Sequence, residues 1–195
     1  MTSELPEIVT PRFVLILGPS GVGKSTLIGN LHEADHRIQF VSPITDRQNR
    51  PGETEKICVN PETFSELERN NFFLLVNEVY GNRYGTPRSS IDEILAENKI
   101  PILDFPLKDI HKLNEYKSIL YNIYLVPPTL GTLHTRIDND NRGVDNMRYA
   151  DGKAELLELV NSHFQHPDIN EVIINRDLKQ STSQVLNLIY NAITK

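Results

Sequence analysis

Short apolar runs alternate along the chain with stretches in which apolar positions recur every three or four residues. Phe13–Leu17 is an unbroken apolar run ended by Gly18, the mark of a strand covered on both faces. Residues 25–31 read as the helix that follows it, and 38–42 as a second strand. The polar stretch 45–55, with Pro51 and Gly52, reads as a loop. Residues 61–70 predict a helix capped by Asn60 or Thr63, 72–76 a strand, and 88–98 a helix with Ile91, Ile94 and Leu95 at helical spacing. Further strands are expected at 100–105, 122–126 and 172–175. Further helices are expected at 107–119, 128–138, 151–164 and 181–193.

Strands and helices in alternation imply an α/β fold, with a parallel sheet flanked by helices. In such a sheet ligands gather at the carboxyl ends of the strands. The segment 47–85 is the richest in turn residues and reads as a small inserted unit.

Composition narrows the class. A chain of 195 residues fits a single compact domain. Its 38% hydrophobic and 24% charged content is that of a soluble globular protein. The net charge of −6 argues against sequence-independent nucleic-acid binding, which depends on neutralising phosphates. The single cysteine, Cys58, excludes an internal disulfide and a cysteine-based zinc site. The apolar runs are far shorter than the roughly 20 residues of a membrane span. The first residues lack a basic region followed by an apolar stretch, so they do not read as a secretory signal. These features point to a cytoplasmic protein with no membrane or nucleic-acid partner; a monomer or homodimer is expected.

The chemistry starts where the first strand ends. Gly18, Pro19, Ser20, Gly21, Val22, Gly23, Lys24 and Ser25 fill the pattern G-x-x-x-x-G-K-S/T at every fixed position. By average residue usage, the pattern arises by chance in on the order of one per cent of chains this long. Here it also lies between a strand and a helix, the context it requires. Glycines let the backbone curl so that successive N–H groups converge on phosphate oxygens, and the helix start adds partial positive charge. Lys24 is placed to reach the outer phosphates of ATP, with Thr26 beside it and the Ser25 hydroxyl on Mg2+. A signal GTPase would need Asn-Lys-x-Asp after a late strand. This chain has Asn175-Arg176-Asp177, which favours a kinase.

From this loop onward the chain resembles the guanylate kinase family. The likeness rests on Gly18 to Leu27, on Val41-Ser42 with Thr45-Asp46-Arg47 and Arg50-Pro51-Gly52-Glu53, and on Gly81-Asn82-Arg83-Tyr84-Gly85-Thr86. Ile102-Leu103-Asp104, Leu125-Val126-Pro127-Pro128 and the last strand extend it. The resemblance implies one P-loop domain with a core at 12–46, 86–135 and 150–195. It implies an acceptor-binding insertion at about 47–85 and a lid at about 136–149. It implies transfer of the γ-phosphoryl group of ATP, with Mg2+, to a small phosphorylated acceptor, GMP by default. Ser42, Arg47, Arg50 and Tyr84 would then serve the acceptor side, with the arginines and Tyr84 on its phosphate. Thr86 would read the base, and Asp104 would stand near acceptor and metal. Two arginines three positions apart can also clamp a phosphate on physical grounds alone.

The departures from the family are specific. Its base-reading glutamate lies nine residues before the tyrosine, which here is Leu75. Leucine accepts no hydrogen bond, so the preference for GMP over IMP or AMP is expected to be shallow. Glu78, three residues on, would face the other way on a strand. A second family tyrosine has no counterpart, with Lys56 or Ile57 near its place, and a second acidic position is Pro106. The lid is rebuilt: Asp138-Asn139-Asp140-Asn141 adds residues, and Arg148 follows Arg142-Gly143 after only six positions. Arg136, Arg142 and Arg148 remain the candidates for stabilising charge on the transferred group. The alternatives are a kinase for another nucleoside monophosphate or a sugar phosphate such as ribose bisphosphate, or a non-catalytic module of the same family. The intact Lys24 and Ser25 speak against the last.

Overall fold

The computed structural model describes residues 5–48, 56–140 and 144–194; Arg50 and Arg142 lie outside them. The first strand, β1 (Phe13–Leu17), is fully buried at all five positions. Phe13, Leu15 and Leu17 point into one hydrophobic cluster, while Val14 and Ile16 point into the other. That alternation across a pleated strand puts a core on each face of the sheet.

Around β1 lie β2 (Ile38–Phe40), β7 (Ile100–Asp104), β8 (Leu120–Val126) and β9 (Glu171–Ile174), in the order β2-β7-β1-β8-β9. Every pairing is parallel, as the βα alternation requires. On one face, helix α1 (Lys24–Ala34) contributes Leu27, Ile28 and Leu31, and α6 (Leu178–Ile193) contributes Val185, Ile189 and Ile193. The other face carries Ile91 of α3 (Arg88–Ala96), Leu133 and Ile137 of α4 (Leu130–Asp140), and Leu156 and Leu159 of α5 (Asp145–Asn161). Asp177 caps α6 by accepting from Gln180 N at 2.8 Å, and Asn60 caps α2 (Pro61–Arg69) by accepting from Thr63 N at 2.7 Å.

A second sheet runs β4-β3-β6-β5. It comprises β3 (Ile44–Thr45), β4 (Ile57–Cys58), β5 (Phe73–Val79) and β6 (Asn82–Pro87). Strands β5 and β6 form a hairpin whose two turn residues, Tyr80 and Gly81, have φ of 51° and 74°. Both values are positive, which is the primed turn that matches the twist of paired strands.

The pattern of residues 44–45, 57–58 and 82–87 does not announce strands. The first two are too short to show a period, and the third carries Asn, Arg, Tyr and Gly in place of an apolar alternation. Two helices also differ from expectation. Residues 107–116 form 3₁₀ turns with a kink at Leu113, and α5 begins at Asp145, ahead of the expected residue 151.

Candidate functional site

At the end of β1 the chain turns through Gly18 to Gly23. Gly18 and Gly23 have φ of 132° and 107°, values that favour glycine. A Cβ on Gly18 would stand 2.5 Å from Leu125 O, and one on Gly23 would stand 2.7 Å from Asn175 Nδ2. Helix α1 then starts with no side-chain cap and no acidic residue in its first turn. Its first N–H groups and partial positive charge are left available to an anion.

Lys24 folds back over the loop, its Nζ donating to Gly18 O at 2.8 Å and Pro19 O at 3.2 Å. Gly18, Pro19, Ser20, Gly21, Gly23 and Lys24 all line one cleft, as do Ser25 and Thr26. Val22 differs: its side chain is in the core, and its carbonyl accepts from Arg136 and Asn175, at 3.0 and 2.8 Å.

The cations of the helical wall are arranged around the loop. Arg136, on α4, donates from its two terminal nitrogens to Val22 O and Asn175 O. It therefore braces the loop backbone against the end of β9. Arg148, on α5, is 1% exposed. Its Nε donates to Ser20 Oγ at 2.9 Å, and its terminal nitrogens reach Asp140 at 2.7 Å and Asp145 at 3.0 Å. One guanidinium thus joins the loop to the end of α4 and the start of α5, a fixed fork of donors that a lysine could not reproduce. Asn175 was legible only as the last residue of the expected final strand; in the structure it follows β9. Its amide and carbonyl tie β9 to the loop, and its Oδ1 is buried with no partner among the described residues.

The same cleft, about 1920 Å³, extends from the loop to the second sheet. A single small-ligand pocket rarely exceeds about 1,000 Å³, so this one has room for two ligands end to end. Arg47, Tyr84, Thr86 and Asp104 line its far part. The pairing Thr45↔Tyr84 sets Arg47 near Tyr84, and Ile16↔Asp104 sets Asp104 beside the strand that feeds the loop. Lys56 Nζ lies 5.2 Å from the centre of the Tyr84 ring, where the sequence lacked a second tyrosine. Ser42 is half-buried and stands outside this lining.

The other face of β6 is committed to structure. Arg83 donates to Asp46 at 2.6 Å and lies over the Phe64 ring at 4.4 Å. Burial alone would raise Asp46, but the hydrogen bonds and charge of Arg83 hold its carboxyl below the ordinary value.

Leu75 packs into the hydrophobic core at 8% exposure and takes no part in the cleft wall. Glu78 is exposed, stands opposite Arg83 and does line the cleft. On the α5 side, Tyr124 donates to Glu155 Oε1. Burial, then the adjacent carboxylate, push that phenol up. No group of three or more His, Cys, Asp or Glu side chains that could hold a metal occurs among the described residues. A Mg2+ held by one hydroxyl, substrate phosphates and water needs no such group. No helix of the described residues is long and apolar enough to cross a membrane.

Comparison with known proteins agrees with this arrangement. The guanylate kinase family model matches residues 10–192. The guanylate kinase of Wolinella succinogenes is 33% identical over 187 residues, covering 93% of this chain and 85% of that protein. That of Rhizobium johnstonii is 31% identical over 183 residues, covering 90% and 80%. The crystal structure of guanylate kinase from Anaplasma phagocytophilum superposes with a TM-score of 0.73 at 20% identity, covering 98% of this chain and 90% of that one. A gluconokinase from Sinorhizobium meliloti shares the fold more distantly, with a TM-score of 0.52 at 15% identity. With a phosphate-binding loop on a parallel sheet and a family match across nearly its whole length, this chain belongs to the guanylate kinase family of phosphotransferases.

Proposed function

We propose that this protein transfers the γ-phosphoryl group of ATP to GMP, giving ADP and GDP. The observation that carries this reading is the single cleft joining the phosphate loop to Arg47, Tyr84 and Thr86. ATP would lie with its phosphates on the loop amides and Lys24. The acceptor would lie with its phosphate toward Arg47 and Tyr84, joined by Arg50. Two polyanions repel, so cations on both sides are needed to bring their phosphates into line. Arg142 and Arg148 would bring positive charge to the transferred group, Arg148 while it stays bonded to Ser20, Asp140 and Asp145, and Arg136 keeps the loop in shape.

The residues present suit Mg2+. Ser25 opens onto the cleft at the helix start, and Asp104 at the end of β7 can act through water. The ion supplies charge neutralisation on the phosphates.

A second reading, an acceptor other than GMP, is favoured by one observation: Leu75 is packed in the core where the family pattern places a carboxylate. ADP release measured with ATP, Mg2+ and a panel of GMP, IMP, AMP, UMP and ribose phosphates tests both. Turnover with GMP supports the first reading. Turnover confined to another acceptor replaces it, and ATP binding with no acceptor turned over overturns both.

A further inference from the structure

One polar group in the acceptor half has no counterpart in the motifs that identify the site. Asn77 lies on β5, two residues beyond Leu75 and thus on the same face of the strand. It is 5% exposed, lines the cleft, and pairs with Tyr84 across the hairpin. A carboxamide so buried needs partners for both ends.

One end is taken. Lys112, from the 3₁₀ segment after β7, places Nζ 2.9 Å from Asn77 Oδ1 and 3.3 Å from Val76 O. Asp109 balances that ammonium at 2.9 Å. An ammonium only donates, so the amide atom facing it must be the oxygen. The orientation of the amide is thereby fixed, and Nδ2 is left with its two N–H groups. No described residue accepts from them. On the same face, Leu75 pairs with Thr86, which offers a hydroxyl and no carboxylate.

We infer that Asn77 is a specificity-determining residue of the acceptor subsite, held by Lys112 so that it presents N–H donors to an oxo group on the acceptor's base. The inference rests on the reading of this cleft as a nucleoside monophosphate site. A carboxylate at this wall would read the N1–H and 2-amino donors of guanine. A fixed N–H donor pair reads an acceptor instead. GMP and IMP both carry the 6-oxo group, and the 2-amino group that separates them meets no acceptor on Asn77. AMP turns a donor toward a donor. The substrate class is therefore 6-oxopurine monophosphates, with or without the 2-amino group.

The test is kcat/KM for GMP, IMP and AMP by ADP release, on wild type, Asn77→Asp and Lys112→Met, each checked by thermal melting. In the wild type, GMP and IMP should agree within about threefold, and AMP should be at least about tenfold poorer. Asn77→Asp removes the donors and adds an acceptor, so IMP should fall by about tenfold or more and the GMP:IMP ratio should rise. Lys112→Met frees the amide to turn, so discrimination against AMP should shrink by about fivefold or more. A purely structural role for Lys112 would lower all three substrates alike. Turnover of these nucleotides with a wild-type GMP:IMP ratio above about thirty, or with ratios unmoved in both variants, overturns this inference and leaves the phosphotransfer reading standing. Turnover of none of the three removes the reading on which it rests.

Discussion

Arg148 Nε donates to Ser20 Oγ at 2.9 Å, and through that bond the start of α5 is fixed to the phosphate loop. The same guanidinium holds Asp140 and Asp145, so loop, α4 and α5 meet at one buried cation. Replacing it with alanine leaves two carboxylates without their countercharge. A fully buried pair broken in this way costs about 3–5 kcal/mol. Asp140 and Asp145 are 29% and 27% exposed, so water relieves part of that cost, and about 2–3 kcal/mol is expected. Denaturant unfolding of Arg148→Ala measures it, and a loss below about 0.5 kcal/mol would show that the junction is not a stabilising one.

Lys24→Ala should remove nearly all phosphoryl transfer, by at least about a hundredfold in kcat, because no other side chain of the loop carries positive charge to the phosphates. The helix it begins is anchored by Leu27, Ile28 and Leu31, so the fold should persist. Turnover and circular dichroism together check this, and near-normal turnover in a folded variant would defeat the kinase reading.

Arg47→Ala should raise the KM for the acceptor by roughly 10- to 150-fold, the worth of one charge-assisted bond to phosphate, and change the KM for ATP far less. Initial-rate kinetics with each substrate varied in turn separates the two. Equal effects on both would place Arg47 outside the acceptor subsite.

Leu75→Glu should not confer guanine selectivity. Its side chain packs among core residues and would carry a carboxylate into them, which costs about 2 kcal/mol or more. Glu78→Ala should leave the nucleotide ratios unchanged, since Glu78, although it lines the cleft, lies on the opposite face of β5 from Asn77 and stands opposite Arg83. A strong GMP preference that collapses in Glu78→Ala would place base reading at Glu78.

Stability should fall on acidification. The Asp35 side chain is fully buried and paired with Arg37 at 2.7 Å. Burial alone would raise its carboxyl, but the Arg37 hydrogen bonds outweigh that and hold it below 3.8. A carboxylate depressed in the folded state contributes stability above its unfolded value and loses that contribution as pH falls through the folded one. The unfolding free energy should therefore drop below about pH 4, and the drop should be smaller in Asp35→Asn. A pH series of urea melts reads this directly.

The sequence alone determined what depends on local order. An unbroken apolar run cannot be exposed on either face, so β1 and the parallel sheet around it were legible from Phe13–Leu17 and the runs that echo it. The phosphate loop was equally legible, because its glycines shape the backbone and its lysine and serine present their side chains, all within eight consecutive residues. Tertiary structure decided what depends on distant partners. The strands at 44–45, 57–58 and 82–87 exist because they pair with one another and with β5, and their own sequences carry little period. Arg136 and Arg148 were visible as cations near a lid. Only the packing of α4 and α5 against the loop shows that Arg136 braces backbone carbonyls and that Arg148 is buried between two aspartates. Leu75 could be named as a missing carboxylate, but its place in the core required the fold. The Asn77–Lys112 contact joins residues 35 positions apart. Neither residue carries a signal by itself, because a hydrogen bond between side chains has no imprint on the sequence until the backbone brings its partners within 3 Å.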